Sequence, residues 1–234
     1  MAAPTTSGTA DFKLDILQVC EEAYERAGLE MRSGYDLRTA RRSLNLMALE
    51  WVNRGLNLWT VEESSEALVV GTATYTLDDD CIDVLDAVIR DGSGTSQTDF
   101  NLTRITVSNY AQTSNKNTQS RPTSMYVDRQ NRATVTLHPT PNDATQTFVY
   151  WYVRRIEDLG DANTNNLDMP ERFVPAMIAG LAYNIALKRP ELENRIPLLK
   201  SIYEEQYQLA ASEDRDKSSL IFSPAQSFLD VNLT

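Results

Sequence analysis

The sequence is poor in the residues that most often carry enzyme chemistry. Its 234 residues include one histidine, His138, and two cysteines, Cys20 and Cys81. One imidazole cannot build a multi-histidine metal site, and the cysteines are far apart, with no CxxC motif. The GxGxxG and GxSxG motifs of nucleotide-binding proteins and serine hydrolases are also missing. We therefore predict a protein that is not an enzyme, with no cofactor, no bound metal and a structural role for His138.

The sequence also lacks long apolar runs. No window approaches the roughly 18 apolar residues of a membrane span. The first residues, MAAPTTSGTAD, have neither the basic nor the apolar region of a secretion signal. We expect no membrane partner and synthesis in a reducing cytoplasm.

Basic residues are too few for tight binding to nucleic acid. There are 22 Lys and Arg against 33 Asp and Glu, which gives a formal net charge of −11. Phosphate binding needs clustered cations that displace counterions. Any contact with DNA should therefore be loose or repulsive.

What the sequence does contain is helical periodicity at both ends. One amphipathic segment runs from Asp11 to Ala27 and ends at Gly28, a typical C-terminal glycine. A second has Asp36 as its predicted N-cap and Gly55 as its end. Its apolar positions repeat at helical spacing: Leu37, Ala40, Leu44, Met47, Ala48 and Trp51.

Helical periodicity resumes late in the chain. Pro170 suits a first helical turn that Asp168 caps, and Pro190 ends this helix. A last helix is predicted over 196–216.

The middle of the chain has the pattern of a β region. Alternation begins at 56–61, and a β-branched stretch follows at 68–77. Five further strands are predicted at 82–90, 101–106, 124–129, 133–137 and 147–154, in antiparallel hairpins. Residues 148–153 are apolar on both faces, which indicates a central strand.

The cluster Asp78, Asp79, Asp80, Asp83 and Asp86 is the best candidate for a hard-cation site. It lacks the glycine and the distant glutamate of an EF-hand. A solvated turn is the favoured interpretation, and a metal-binding β module stays open as an alternative.

The last residues combine low charge with high apolarity. Between Ser219 and Thr234 the single charged residue is Asp230. The segment is either a disordered terminus or a docking arm that orders on a partner. Disordered tails are usually poor in bulky apolar residues, so we favour the docking arm. Its apolar residues are Leu220, Ile221, Phe222, Phe228, Leu229, Val231 and Leu233.

Three short strings, in this order and separation, resemble the head-to-tail adaptor family of tailed phages, which includes the tail tubular protein A (gatekeeper) of short-tailed phages. They are ARRSLN at 40–45, RGLNLW at 54–59 and LDMPERF at 167–173. The residues that carry the resemblance, with expected structural roles, are Arg41, Arg42, Leu44, Trp51, Gly55, Trp59, Pro170 and Phe173.

The resemblance implies an α+β fold: a discontinuous α-helical bundle of two N-terminal and two C-terminal helices, an inserted antiparallel β domain and an extended C-terminal arm. The corresponding ranges are a flexible N-terminus at 1–10, the bundle at 11–62 and 167–217, the β domain at 63–166 and the arm at 218–234.

The resemblance further implies a virion protein at the head–tail neck. It would form a homo-oligomeric ring, expected to be dodecameric, that binds the portal protein above and the tail or nozzle protein below. Double-stranded DNA would pass through it during ejection, and the arm would dock on the portal. A neck stopper or tail-completion protein, and a scaffold or host-surface binding protein, remain alternatives.

Overall fold

The computed structural model describes residues 14–55, 58–158, 160 and 167–214. The predicted flexible N-terminus at 1–10 and the predicted arm at 218–234 lie outside these residues. The described part is a mixed α+β structure with antiparallel sheets, as predicted.

Five helices and eight strands make up the described part of the chain. The helices are α1 (Ile16–Ala27), α2 (Gly34–Asn53), α3 (Val107–Gln112), α4 (Val174–Leu187) and α5 (Ile196–Glu213). The strands are β1 (Val61–Ala67), β2 (Thr74–Thr76), β3 (Cys81–Asp91), β4 (Thr98–Asn101), β5 (Thr103–Arg104), β6 (Ser124–Asp128), β7 (Thr134–His138) and β8 (Thr147–Arg154).

The ends of α1 follow local signals. Asp15 caps the helix, and its side chain and that of Gln18 form a reciprocal capping box. The helix ends at Gly28, whose φ of +85° is the left-handed conformation that glycine adopts without strain. The prediction of the end was right, whereas the start is Ile16 and not Asp11.

The predicted cap of α2 was wrong. Ser33, not Asp36, is the N-cap, and its hydroxyl accepts a hydrogen bond from the Asp36 backbone N–H. Asp36 lies in the first turn, where its carboxylate accepts from the Arg32 backbone N–H and the Ser33 hydroxyl and pairs with Arg189. Ser33 is the N-cap because it directly precedes Gly34, the first residue of the helix.

The start of α4 also differs from the prediction. Residues Glu171–Phe173 form a 3₁₀ turn, and the α-helix begins at Val174. Asp168 does not cap it, because its carboxylate is bound to Arg154.

Helix α4 lies at the centre of the helical part and packs on α1, α2 and α5. Seven consecutive residues, 176–182, are buried, as expected for a helix that is apolar on all sides. Gly180 permits a close approach of the helices: a Cβ at this position would collide with Cε of Met47 on α2 and lie 2.7 Å from Cε2 of Tyr203 on α5. One buried cluster joins residues of these four helices.

The strands form two four-stranded sheets, β1-β8-β3-β4 and β2-β7-β6-β5. The described strands pair antiparallel, except for the parallel pair β5 and β6. Buried side chains from both sheets form a second cluster, separate from the helical one. As predicted, β8 is an inner strand, and β6 and β7 form a hairpin.

Three parts of the β region differ from the sequence prediction. Residues 58–60 form a 3₁₀ turn, so the first strand begins at Val61 and not at Leu56. In the stretch 68–77 only Thr74–Thr76 is a strand. The short helix α3, between β5 and β6, was not predicted.

Candidate functional site

The chain passes between its helical and β parts twice, and both passages meet at one junction. The outward passage carries Trp59, and the return passage carries Asp168 and Pro170. The Trp59 indole N–H donates to the Asp168 carbonyl over 3.2 Å. This bond ties together two segments more than a hundred residues apart in sequence.

Aromatic side chains from four helical segments fill the helical side of the junction. The Phe173 ring lies 4.5 Å from Trp59 and 5.9 Å from Trp51, centroid to centroid. Trp51 is fully buried, and its indole N–H donates to the Tyr203 hydroxyl over 2.9 Å. Each such aromatic pair contributes about 0.5–1.5 kcal/mol of stability beyond the burial of its two rings.

An ion-pair network holds the β side of the junction. Arg154, the last residue of β8, donates to Asp168 through Nη2 (2.9 Å) and to Glu62 of β1 through Nε (2.6 Å). The Glu157 backbone N–H donates to the same Asp168 carboxylate. The hydrogen bond from Arg154 lowers the pKa of Asp168, against the opposing effect of burial. The hydrogen bond to Asp168 in turn raises the pKa of Arg154.

Sequence reasoning missed this network. Residue 154 appeared only as the last residue of the predicted strand 147–154, and Asp168 only as a helix cap. The positions of the two residues in the sequence could have indicated a junction. Arg154 ends the central strand, and Asp168 lies directly before Met169 and Pro170, where the helical part resumes.

The residues that carry the family resemblance lie in and around the helical part. Leu44 is buried, and Gly55 follows the end of α2 with a φ of +82°. Pro170 precedes the 3₁₀ turn that contains Phe173. Arg41 is half-buried and Arg42 is exposed on α2. Their expected roles stay predictions, as does the arm from Leu220 to Leu233, which lies outside the described residues.

The structure distributes the aspartates of the acidic cluster among different partners. Asp78 accepts from the Tyr150 hydroxyl, Asp79 pairs with Arg132, and Asp80 accepts from the Tyr152 hydroxyl. Asp83 binds Arg104 and Arg129. Within the described ranges, no group of three or more His, Cys, Asp and Glu is arranged to hold a metal ion.

Both thiols are buried. Burial raises the pKa of Cys20 to about 12. Burial, together with the nearby Asp80, raises that of Cys81 to about 12. Both groups stay protonated at neutral pH, and neither is prepared to act as a nucleophile.

Helices α2 and α5 each expose several large apolar side chains. On α2, Leu46 and Leu49 are each 60% exposed. On α5, Leu198 and Leu209 are 58% and 57% exposed, and Ile202 is 37% exposed. No helix in the described part of the chain is long and apolar enough to cross a membrane. Apolar side chains grouped on one helix face indicate contact with other proteins.

No curated protein matches the chain. The family model described as SU10 adaptor protein matches residues 16–226, which include all the helical segments and the whole β region. The chain therefore belongs to the SU10 adaptor protein family, a family of phage head-to-tail adaptors.

Proposed function

We propose that this chain forms a ring beneath the portal of a tailed phage, joins the capsid to the tail or nozzle, and lets double-stranded DNA pass. The observation that carries the proposal is the family match over residues 16–226. We take the ring to be dodecameric, as the resemblance implies.

In this proposal the helices form one discontinuous bundle, from 11–62 and 167–217, and residues 63–166 form an inserted β domain. The two separate buried clusters support this division. The junction of Trp59, Arg154 and Asp168 supports it too, because both chain passages between the parts run through it. The inserted domain would then be held to the bundle at both of its ends.

The portal contact is assigned to the arm, residues 218–234. Its seven large apolar side chains and single charge favour burial against a partner. A terminal segment that orders on binding is suited to joining two rings, since it can reach across their boundary.

The charge of the chain suits the passage of DNA. A formal charge of −11 repels phosphates, so DNA would slide past and not bind. The β region contributes an acidic concave surface of about 750 Å³ in which Arg132 is the one cationic lining residue. Its acidic lining residues are Glu62, Glu63, Glu66, Asp78, Asp79 and Asp80.

The test is to image the purified chain by negative stain, and to measure its mass, with and without the portal protein of the same phage. We expect rings stacked on the portal with a central channel. A chain that stays monomeric with the portal, at concentrations well above those in an infected cell, would contradict the proposal.

A further inference from the structure

The outer faces of α2 and α5 carry matching patterns of apolar and charged side chains. On α2 the outer face presents Arg38, Arg42, Leu46 and Leu49, all exposed. On α5 it presents Leu198, Ile202, Glu205 and Leu209, also exposed. At about 100° per residue, each set falls on one side of its helix, away from the core.

The two faces cannot meet within one chain. On α5, Glu204 faces α2, where it pairs with Arg54 at 3.5 Å. Ile202 and Leu209 lie on the flank of α5 that is turned away from Glu204, roughly 140° or more around the helix. The α2 face can therefore cover this flank only from another copy of the chain.

The charges on the two faces are complementary. Arg38 and Arg42 have no ion-pair partner among the described residues, and neither has Glu205. Arg42 also contributes, after burial, to lowering the pKa of Lys188. The α2 face thus has a basic half, and the α5 face has an acidic residue among apolar ones.

The spacings agree when the helices run antiparallel. From Leu49 the α2 face steps back by three, four and four residues to Leu46, Arg42 and Arg38. From Leu198 the α5 face steps forward by four, three and four residues to Ile202, Glu205 and Leu209. At about 1.5 Å per residue, Arg42 and Glu205 both lie roughly 10 Å from the first leucine of their face. Leu49 would then meet Leu198, Leu46 would meet Ile202, and Arg42 would meet Glu205.

We propose that the α2 face of one copy packs antiparallel on the α5 face of the next copy, with Arg42 and Glu205 paired across the interface. This inference rests on the proposed function: contact between two different surfaces is a heterologous interface, and such interfaces form a ring when the rotation between copies closes. A groove of about 460 Å³ beside Leu49 extends the apolar area available to the neighbour. Its apolar lining includes Ala48, Leu49, Val52, Ile82 and Ile156.

Charge reversal tests the pairing. Arg42→Glu and Glu205→Arg, each alone, should raise the protein concentration needed for half-maximal ring formation on the portal by roughly tenfold. The double variant should restore assembly. Lys200→Glu is the matched control, since Lys200 is exposed on the opposite flank of α5.

Cysteine cross-linking tests the register. The double variant Leu46→Cys and Ile202→Cys should give, on oxidation of portal-bound protein, a ladder of linked copies. The two single variants, each used alone, should give no ladder. The natural thiols should not contribute, because Cys20 and Cys81 are buried.

The outcomes separate this inference from the proposed function. If the unaltered chain forms rings but the double reversal assembles no better than the singles, or the ladder is absent, the interface is wrong and the ring stands. If Ile202→Cys links instead to Phe222→Cys, the arm covers the α5 face, which also overturns the interface. If the unaltered chain forms no ring with the portal, both ideas fail.

Discussion

Arg154 links the end of strand β8 to two other segments of the chain. It ends the central strand of one sheet and binds carboxylates from two segments, Glu62 and Asp168. Its side chain is only 13% exposed, so these charges are partly withdrawn from water. A half-buried pair is costly to break, because the partner that remains keeps its desolvation cost without compensation.

We expect Arg154→Met to lower the free energy of unfolding by about 1–3 kcal/mol, because it leaves Asp168 unpaired. Urea denaturation followed by tryptophan fluorescence measures this loss. The control is Arg132→Met, which breaks a pair with the highly exposed Asp79 and should cost less than about 1 kcal/mol. Equal losses in the two variants would contradict the importance of the junction.

The pH dependence of stability gives a second measure of the same pair. The folded-state pKa of Asp168 is lowered, chiefly by the hydrogen bond from Arg154. The stabilisation is therefore present above the unfolded carboxyl pKa of about 3.9 and is lost as the pH falls through the lower folded value. We expect urea midpoints of Asp168→Asn to change less than those of the unaltered chain below about pH 4. If the urea midpoints of the two proteins fall equally below about pH 4, the Arg154–Asp168 pair does not cause the loss of stability in acid.

Among the elements, α4 explains how the helical part is held together. It contacts α1, α2 and α5, and it is buried on every side around its middle. Gly180 packs directly against the side chains of Met47 and Tyr203. A methyl group added there must displace the Tyr203 ring, whose hydroxyl accepts from Trp51.

We predict that Gly180→Ala destabilises the protein by about 1–3 kcal/mol, although alanine favours helix formation by up to about 1 kcal/mol. Thermal unfolding measures the change. Gly34→Ala is the matched control: Gly34 is also helical, but a Cβ there meets no atom within 4 Å. The control should be neutral or stabilising. A stabilised Gly180→Ala would show that α4 is less tightly packed than described.

The elements that the sequence predicted well are those whose signals are local. Gly28 marked the end of α1, and the apolar residues of β8 marked a central strand. Strand β1 was missed because its residues, VEESSEA, are polar, as an edge strand with one exposed side allows. The cap of α2 was predicted wrongly as Asp36, because Ser33 and Asp36 are both residue types that cap helices and lie three positions apart.

The junction escaped prediction for a different reason. Arg154 and Asp168 are separated by fourteen positions and meet through the fold, and Glu62 approaches Arg154 from the neighbouring strand. No periodicity records such a contact. The outer faces of α2 and α5 were visible as apolar positions, but only the structure shows which of them remain uncovered.

At the scale of the whole molecule, the arm and the folded part should be separable. We expect a chain that ends at Ser218 to keep the unfolding midpoint of the full chain within about 2 °C, since we assign the arm to the portal and not to the core. It should fail to join portal-containing capsids, as measured by co-sedimentation. Normal co-sedimentation would contradict the portal role of the arm.

The central place of α4 has a consequence for how the chain acquires its fold. Helices α1 and α2 leave the ribosome first, but the helix that covers their apolar sides begins only at Val174. At a synthesis rate of about 5–20 residues per second, this wait lasts on the order of ten seconds. During that interval the β strands can pair among themselves, while Ile16, Leu44 and Trp51 lack the cover that α4 gives them in the finished fold. We expect the nascent chain to expose apolar surface that chaperones can bind until α4 is made.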